Sequence, residues 1–310
     1  MKNARLILII IFHIECVFLF AQEPLTIISY NVENLFDCQH DTLKDDWDFL
    51  PDGNYHWSYS KYCAKLDHVA QVVVNIAGWE SAVMVGLCEV ENAHCLRDLC
   101  YRLKRFHYQY VHYDSEDERG VDVALLYDST KVKVLNSKPL RVNLGDDKTR
   151  DILYMKALIH EQDTLHVMVC HLPSKLGGSA ASEWKRKVAK QVIQQQVDSI
   201  IRVYPKAEIV VMGDMNSNPQ NDLQFLENQM IDLERVGQGT HKYKGIWSCI
   251  DQFYVSQALV PHARASIFSS KWLLEEDSKY LDYQPKRTYI GYRYHGGYSD
   301  HLPIVLKIYR

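Results

Sequence analysis

The chain has 310 residues, 47% of them apolar and 24% charged, values that exclude a disordered, collagen-like or coiled-coil protein. Its 36.1 kDa allow one large α/β domain or two smaller ones, and 14 Gly with 9 Pro are too few for a linker protein. Thirty-five Lys and Arg against 39 Asp and Glu give a net charge of −4, so any polyanion binding must come from a local patch or a bound metal ion rather than from overall charge.

The chain begins with MKNAR, an apolar run LILIIIFHIECVFLF, and a small residue at Ala21. This order of a basic start, an apolar stretch and a small residue predicts a secretory signal peptide over 1–21 and a secreted or periplasmic protein. The run is too short for a stable membrane span and is broken by His13 and Glu15. Cleavage removes Lys2, Arg5 and Glu15 and leaves seven cysteines. Cys88 and Cys170 lie in apolar runs and read as small buried hydrophobes. Cys38 and Cys63 flank a polar insertion, where an exported location permits a disulfide. No CxxC pair suggests a thiolate zinc site.

Strands are predicted over 25–32, 82–90, 108–114, 121–128, 131–135, 152–160, 165–172, 208–215, 250–256, 263–268 and 302–309, all rich in Val, Ile or Tyr and bounded by turn residues. Two long helices are predicted. One covers about 60–77, with Tyr62, Leu66, Val69, Val73 and Ile76 on one face. The other covers about 180–203, with Trp184, Val188, Val192, Ile200 and Ile201. Many strands with few helices do not fit a regular βαβ series; they fit an α/β domain over 22–310 in which two packed sheets are covered by helices.

Polar residues recur where apolar strands end: Asn31 and Glu33 in SYNVEN, Glu89 in GLCEVEN, His171 in VMVCHLPS, Asp214 and Asn216 in VVMGDMNSNP, Asp251 in IDQFYVS, and Asp300 with His301 in GGYSDHLP. A carboxylate at one strand end is ordinarily a turn or capping residue. Several such ends gathered along one edge of a sheet stack make a hard-cation site with acid–base partners.

These motifs, in this order and over nearly the whole mature chain, resemble the endonuclease/exonuclease/phosphatase superfamily, whose members include deoxyribonuclease I. YNVENLFD and RGVDVALLYD further resemble an exported bacterial branch. The resemblance implies a four-layer α/β/β/α sandwich and a divalent-metal-dependent phosphodiester hydrolase, a nuclease first. The alternative is a phosphatase or phosphodiesterase acting on inositol phosphates or sphingomyelin-type lipids, and a more remote one is a non-catalytic binding domain. It implies Glu89 as main ligand of Mg²⁺ or Mn²⁺, with Asn31 and Glu33 beside it and Asp300 serving a second or shifting ion. Family members often carry Asp or Asn where this chain has Glu33. Asp214 is expected to activate water with Asn216, His301 to donate to the phosphate with its tautomer fixed by Asp251, and His171 to contact a non-bridging oxygen.

Lys286, Arg287 and Arg293 stand among several Tyr in YQPKRTYIGYRYHGGY, a mixture suited to phosphates and stacked bases of a nucleic acid. Asp122 interrupts an apolar strand, either as a strand-start residue facing solvent or as a site residue. Lys185, Arg186, Lys187 and Lys190 read as a solvated helix face. A monomer is expected.

Overall fold

Runs of alternating and continuous apolar residues pair into two mixed sheets in the computed structural model, which describes residues 23–174, 179–218, 230–232, 235–236 and 239–310. The expected signal peptide over 1–21 lies outside the described residues. The first sheet joins β1 (Leu25–Leu35), β2 (Met84–Val90), β3 (Tyr108–His112), β4 (Asp122–Asp128), β10 (Arg235–Val236), β14 (Ala263–Ile267) and β19 (Ile304–Ile308) in the order β10-β14-β19-β1-β2-β4-β3. The second joins β5 (Val132–Leu140), β6 (Ile152–Ile159), β7 (Asp163–His171), β8 (Glu208–Asp214), β9 (Met230–Asp232) and β13 (Asp251–Ser256) in the order β5-β6-β7-β8-β13-β9. Short hairpins pair β11 (His241–Tyr243) with β12 (Ile246–Ser248), β15 (Leu274–Asp277) with β16 (Asp282–Pro285), and β17 (Tyr289–Ile290) with β18 (Arg293–Tyr294).

The sheets face each other over one apolar layer in which Ile27, Met84, Cys88, Val167, Val210 and Phe253 are buried. Gly86 permits the close approach: a Cβ there would stand 2.6 Å from the Met212 methyl of the opposite sheet. Helix α1 (Tyr59–Ala77) and helix α2 (Ala93–Arg102) cover the first sheet. Ser58 caps α1 by accepting from the Lys61 amide, and Tyr62, Leu66, Val69 and Val73 are buried, as the periodicity predicts. Helix α3 (Ser179–Val203) lays Ala189, Ile193, Val197 and Ile200 against Met168, Ile209 and Val211 of the second sheet. The result is the expected α/β/β/α sandwich.

Several features differ from the sequence reading. Helix α2 is absent from it, because a ten-residue helix burying only Cys95, Leu96 and Leu99 gives too short an apolar stripe to read. Trp184 is exposed rather than packed. The basic face of α3 is not simply solvated: Arg186 is buried and donates to the Pro173 carbonyl at 3.1 Å, and Lys190 reaches the Ser217 hydroxyl at 3.4 Å. Cys38 and Cys63 are both free thiols. Among the described residues no helix is long and apolar enough to cross a membrane.

Candidate active site

Strand register alone brings three of the candidate residues into a row. In the second sheet His171 of β7 pairs with Asp214 of β8, and Asp214 pairs with Asp251 of β13. Gly213 makes this possible: it has φ 136°, and a Cβ there would meet the Cys170 carbonyl oxygen at 1.8 Å. The first sheet meets this row through two irregularities. Pairing of β1 with β2 shifts between Asn31 and Leu35, and pairing of β2 with β4 shifts between Cys88 and Val90. At those shifts Glu33, Asn34 and Glu89 take left-handed backbone, with φ of 51°, 57° and 66°. Such bulges re-aim side chains, and strained backbone of this kind gathers at functional sites.

The side chains then converge. The Asn31 amide donates to Asp214 at 3.1 Å and to Glu89 at 3.3 Å, linking the two sheets. The Asn34 backbone N–H donates to the other Glu89 oxygen at 3.0 Å. His171 Nε2 lies 3.6 Å from Asp214 and 3.8 Å from Glu89, while its Nδ1 is buried without a partner. His301 Nδ1 bonds Asp251 at 2.8 Å, and its Nε2 faces Asp214 at 3.8 Å and Asp300 at 3.9 Å. Asn216, also left-handed at φ 50°, gives its backbone N–H to Asp214 at 2.8 Å and its side-chain amide to the Leu172 carbonyl at 2.9 Å. It therefore braces Asp214 and the end of β7.

The second side of the site is assembled by the segment before β19. Arg287 donates to Asp300 at 2.6 Å, with its Nε 3.7 Å from Glu33. The Thr288 N–H donates to the other Glu33 oxygen at 2.6 Å. Of the three expected substrate cations only Arg287 lines the cleft here; Lys286 and Arg293 do not. Asp122 is buried rather than facing solvent; it accepts from the Ser115 N–H at 3.3 Å and groups with His112 and Asp114, apart from the Glu89–Asp214 network.

Sequence reasoning missed Lys65, His241 and Arg150. Lys65 is buried on α1 and donates to the Thr288 hydroxyl at 2.6 Å and the Tyr298 carbonyl at 2.7 Å. Its place between Tyr62 and Val69 on the apolar face was the available signal. His241 pairs with His301 in an isolated bridge and lies 4.0 Å from Asp300. Arg150 ties the β7 end by donating to the His171 and Leu172 carbonyls, each at 3.2 Å.

Burial sets the protonation pattern. It pushes the Asp214 carboxyl up to about 7, with Asp251 adding to the shift and His301 opposing it. It lifts Glu33 to about 7, helped by Asp300, and lowers Lys65 to about 8. Burial, with Arg150 and Arg119, holds His171 well below the usual imidazole range and hence neutral. At His301 burial is outweighed by Asp251, Asp214 and Asp300, which raise it well above that range and keep it charged. One buried histidine is thus an imidazolium and its neighbour a neutral ring. Ligand atoms of Asp214, Asp251 and His301 lie within 4.8 Å of one another, and so do those of His241, Asp300 and His301.

The fold is shared with solved structures of low sequence identity. Truncated TDP2 from Caenorhabditis elegans matches 93% of this chain and 98% of its own with TM-score 0.61 at 15% identity. A mannosyl-6-phosphatase of Bacteroides thetaiotaomicron matches 91% and 98% with TM-score 0.59 at 15% identity. A functionally unknown conserved protein from Enterococcus faecalis matches 91% and 98% with TM-score 0.58 at 17% identity. No curated protein matches the sequence significantly. The family model described as Endonuclease/Exonuclease/phosphatase family matches residues 26–310, which includes every strand-end residue described above, and the chain belongs to that family of hydrolases acting on phosphate esters.

Proposed function

We propose that this chain is an exported, monomeric, divalent-metal-dependent hydrolase of phosphodiesters, with nucleic acid as the substrate class. The observation that carries the reading is the meeting of Asp214, Asp251 and His301 with Asn31, Glu89 and His171 at the joined edges of the two sheets. The donor set fits a hard cation: it is rich in carboxylate oxygens and contains no thiolate. Glu89 and Asp300 would hold the ion, with Asn31 and Glu33 beside them. Mg²⁺ or Mn²⁺ bound there stabilises the negative charge that builds on the phosphate oxygens.

The chain's own residues supply the rest. Asp214, with its carboxyl near neutrality, accepts a proton from the attacking water and is held by the Asn216 N–H. His301 donates from Nε2 to the phosphate, while Asp251 fixes its Nδ1. His171, neutral, contacts a non-bridging oxygen. Glu33 has one oxygen bonded to Thr288 and the other facing Arg287, so its part is to position those two residues.

The nucleic-acid reading draws on the sequence of 283–298, where Lys286, Arg287 and Arg293 stand among several Tyr, although of the three only Arg287 lines the cleft. A second reading, a small phosphoester such as an inositol phosphate or a sugar phosphate, is favoured by one observation: Arg287 is already paired with Asp300 and faces Glu33, so it offers less charge to flanking phosphates.

Hydrolysis of plasmid DNA, RNA, inositol phosphates, mannose 6-phosphate and sphingomyelin by the purified mature protein, with Mg²⁺ and with EDTA, tests the proposal. Mg²⁺-dependent release of product is expected, and Glu89→Gln should raise the Mg²⁺ concentration needed. Full activity in EDTA would overturn the metal assignment. N-terminal sequencing of the exported protein, expected to start at Gln22, checks the leader.

A further inference from the structure

Beside Glu89 and Asp300 lies a cleft of about 250 Å³ whose wall includes Phe49, Tyr55, Trp57 and Tyr289. We propose that this cleft binds the ring of a small phosphoester, a monosaccharide phosphate or a single nucleotide, with the phosphate at the polar centre. The proposal rests on the phosphoester-hydrolase reading above and develops its second form, a small phosphoester, over the polynucleotide form.

The size admits one ring: 250 Å³ falls below the roughly 300–1,000 Å³ of sites for drug-sized ligands. The wall is rigid before any ligand arrives. Phe36 stacks on Phe49 with centroids 4.1 Å apart, Phe49 stacks on Tyr55 at 4.7 Å, and Tyr55 meets Tyr289 edge-on at 4.7 Å. Hydrogen bonds lock the same residues: the Trp57 indole donates to the Phe36 carbonyl at 2.9 Å, and both the Tyr289 hydroxyl and the Lys61 ammonium donate to the Tyr55 carbonyl, at 2.8 and 3.0 Å. A wall already ordered loses little entropy on binding, and flat aromatic rings stack on a base or on the C–H face of a sugar.

Charge decides between a single ring and a chain of phosphates. Glu33, Glu89 and Asp300 all line the cleft, and Arg287 is the one cation lining it among the described residues. A second phosphate in the cleft would find no cation beyond Arg287, which is already bonded to Asp300 and beside Glu33, whereas an uncharged ring needs none. Arg287 Nε is buried 3.7 Å from Glu33 and its guanidinium is bonded to Asp300, so its charge is already shared with two of these carboxylates.

The test is steady-state hydrolysis, with Mg²⁺, of mannose 6-phosphate, thymidine 5′-monophosphate and glycerol phosphate, each as the monoester and as its methyl diester. The wild type should favour a ring substrate over glycerol phosphate by at least tenfold in kcat/KM, and the better of the two ring probes identifies sugar or nucleotide. Tyr55→Ala should raise KM for that ring substrate at least tenfold with kcat nearly unchanged, Tyr55→Phe should retain the wild-type KM, and glycerol phosphate should respond to neither. Tyr55→Leu, which keeps apolar volume without a flat ring, replaces Tyr55→Ala if the latter does not fold. Equal use of acyclic and ring substrates, or an unchanged KM in Tyr55→Ala, overturns the cleft assignment and leaves the hydrolase reading standing. Failure to hydrolyse any probe while DNA is cut overturns the cleft alone; failure on every phosphoester overturns both.

Discussion

The two ends of the sandwich present clefts of opposite character. The end formed by Lys156, His166, Tyr204 and Glu208 is the roomier, about 760 Å³ against about 250 Å³ beside Glu89. Its left-handed residues, His160 and Glu161, serve a tight turn between β6 and β7, closed by the Gln162 N–H on the Ile159 carbonyl at 3.0 Å. At the Glu89 end, left-handed backbone falls at ladder shifts and aims carboxylates inward. His166 is pushed down to about 4 by burial and by Lys156 across the ladder, so it stays neutral with the Tyr154 hydroxyl 2.8 Å from its ring. His301, equally buried, is surrounded by three carboxylates and stays charged. Volume therefore does not mark the working end. The convergence of buried groups that push one another's proton affinities apart does.

The largest effect expected from breaking this contrast is at His301. His301→Ala should cost roughly 10²–10⁴-fold in turnover while the fold is kept, as seen by circular dichroism. Asp251 bonds His301 Nδ1 at 2.8 Å and, in the proposed function, acts through it, so adding Asp251→Asn to His301→Ala should lower the rate hardly further; additive losses would show that the two do not work as a unit.

Next comes Lys65, which holds the segment before β19 against α1. Lys65→Met leaves the Tyr298 carbonyl and the Glu33–Asp300 region without a buried cation. A loss of about 1.5–3 kcal/mol in urea unfolding is expected, the range for a hydrogen bond to a charged group. A change below about 0.5 kcal/mol would mean the segment is held by its other contacts.

How much of this was readable in the sequence differs by element. Asn31, Glu89, His171, Asp214 and Asp251 were legible because each stands at one end of an apolar strand, Asp251 opening its own, and strand register then stacks the last three. The support around Glu33 was not. Lys65 meets Thr288 across 223 residues and Thr288 meets Glu33 across 255, and no local pattern encodes such pairs. Arg186 looked like surface charge because a helix face is read from apolar residues, and nothing local told that the Pro173 carbonyl would bury it. The cations of 286–293 looked like one patch in sequence; Arg293 sits in the β17–β18 hairpin, and of the three only Arg287 lines the cleft.

The smallest effect belongs to the opposite end. His166 in the folded chain titrates near 4 and in the unfolded chain near its ordinary 6.5. Between those values the unfolded chain binds the extra proton, so stability is complete above about 6.5 and falls as pH drops toward 4. His166→Gln should flatten that slope in urea unfolding at several pH values and leave hydrolysis unchanged. An unaltered slope would show that His166 is not neutral in the folded chain.

The central claim, that the buried acid at the meeting of the two sheets activates water for phosphoester hydrolysis, is tested most directly by Asp214→Asn. The measurement is single-turnover hydrolysis at saturating Mg²⁺ of the best substrate found for the wild type, with unfolding midpoints recorded alongside. Loss of roughly 10²–10⁴-fold in rate with a retained midpoint is the expected result. A rate within tenfold of the wild type would contradict the account and place the proton acceptor elsewhere.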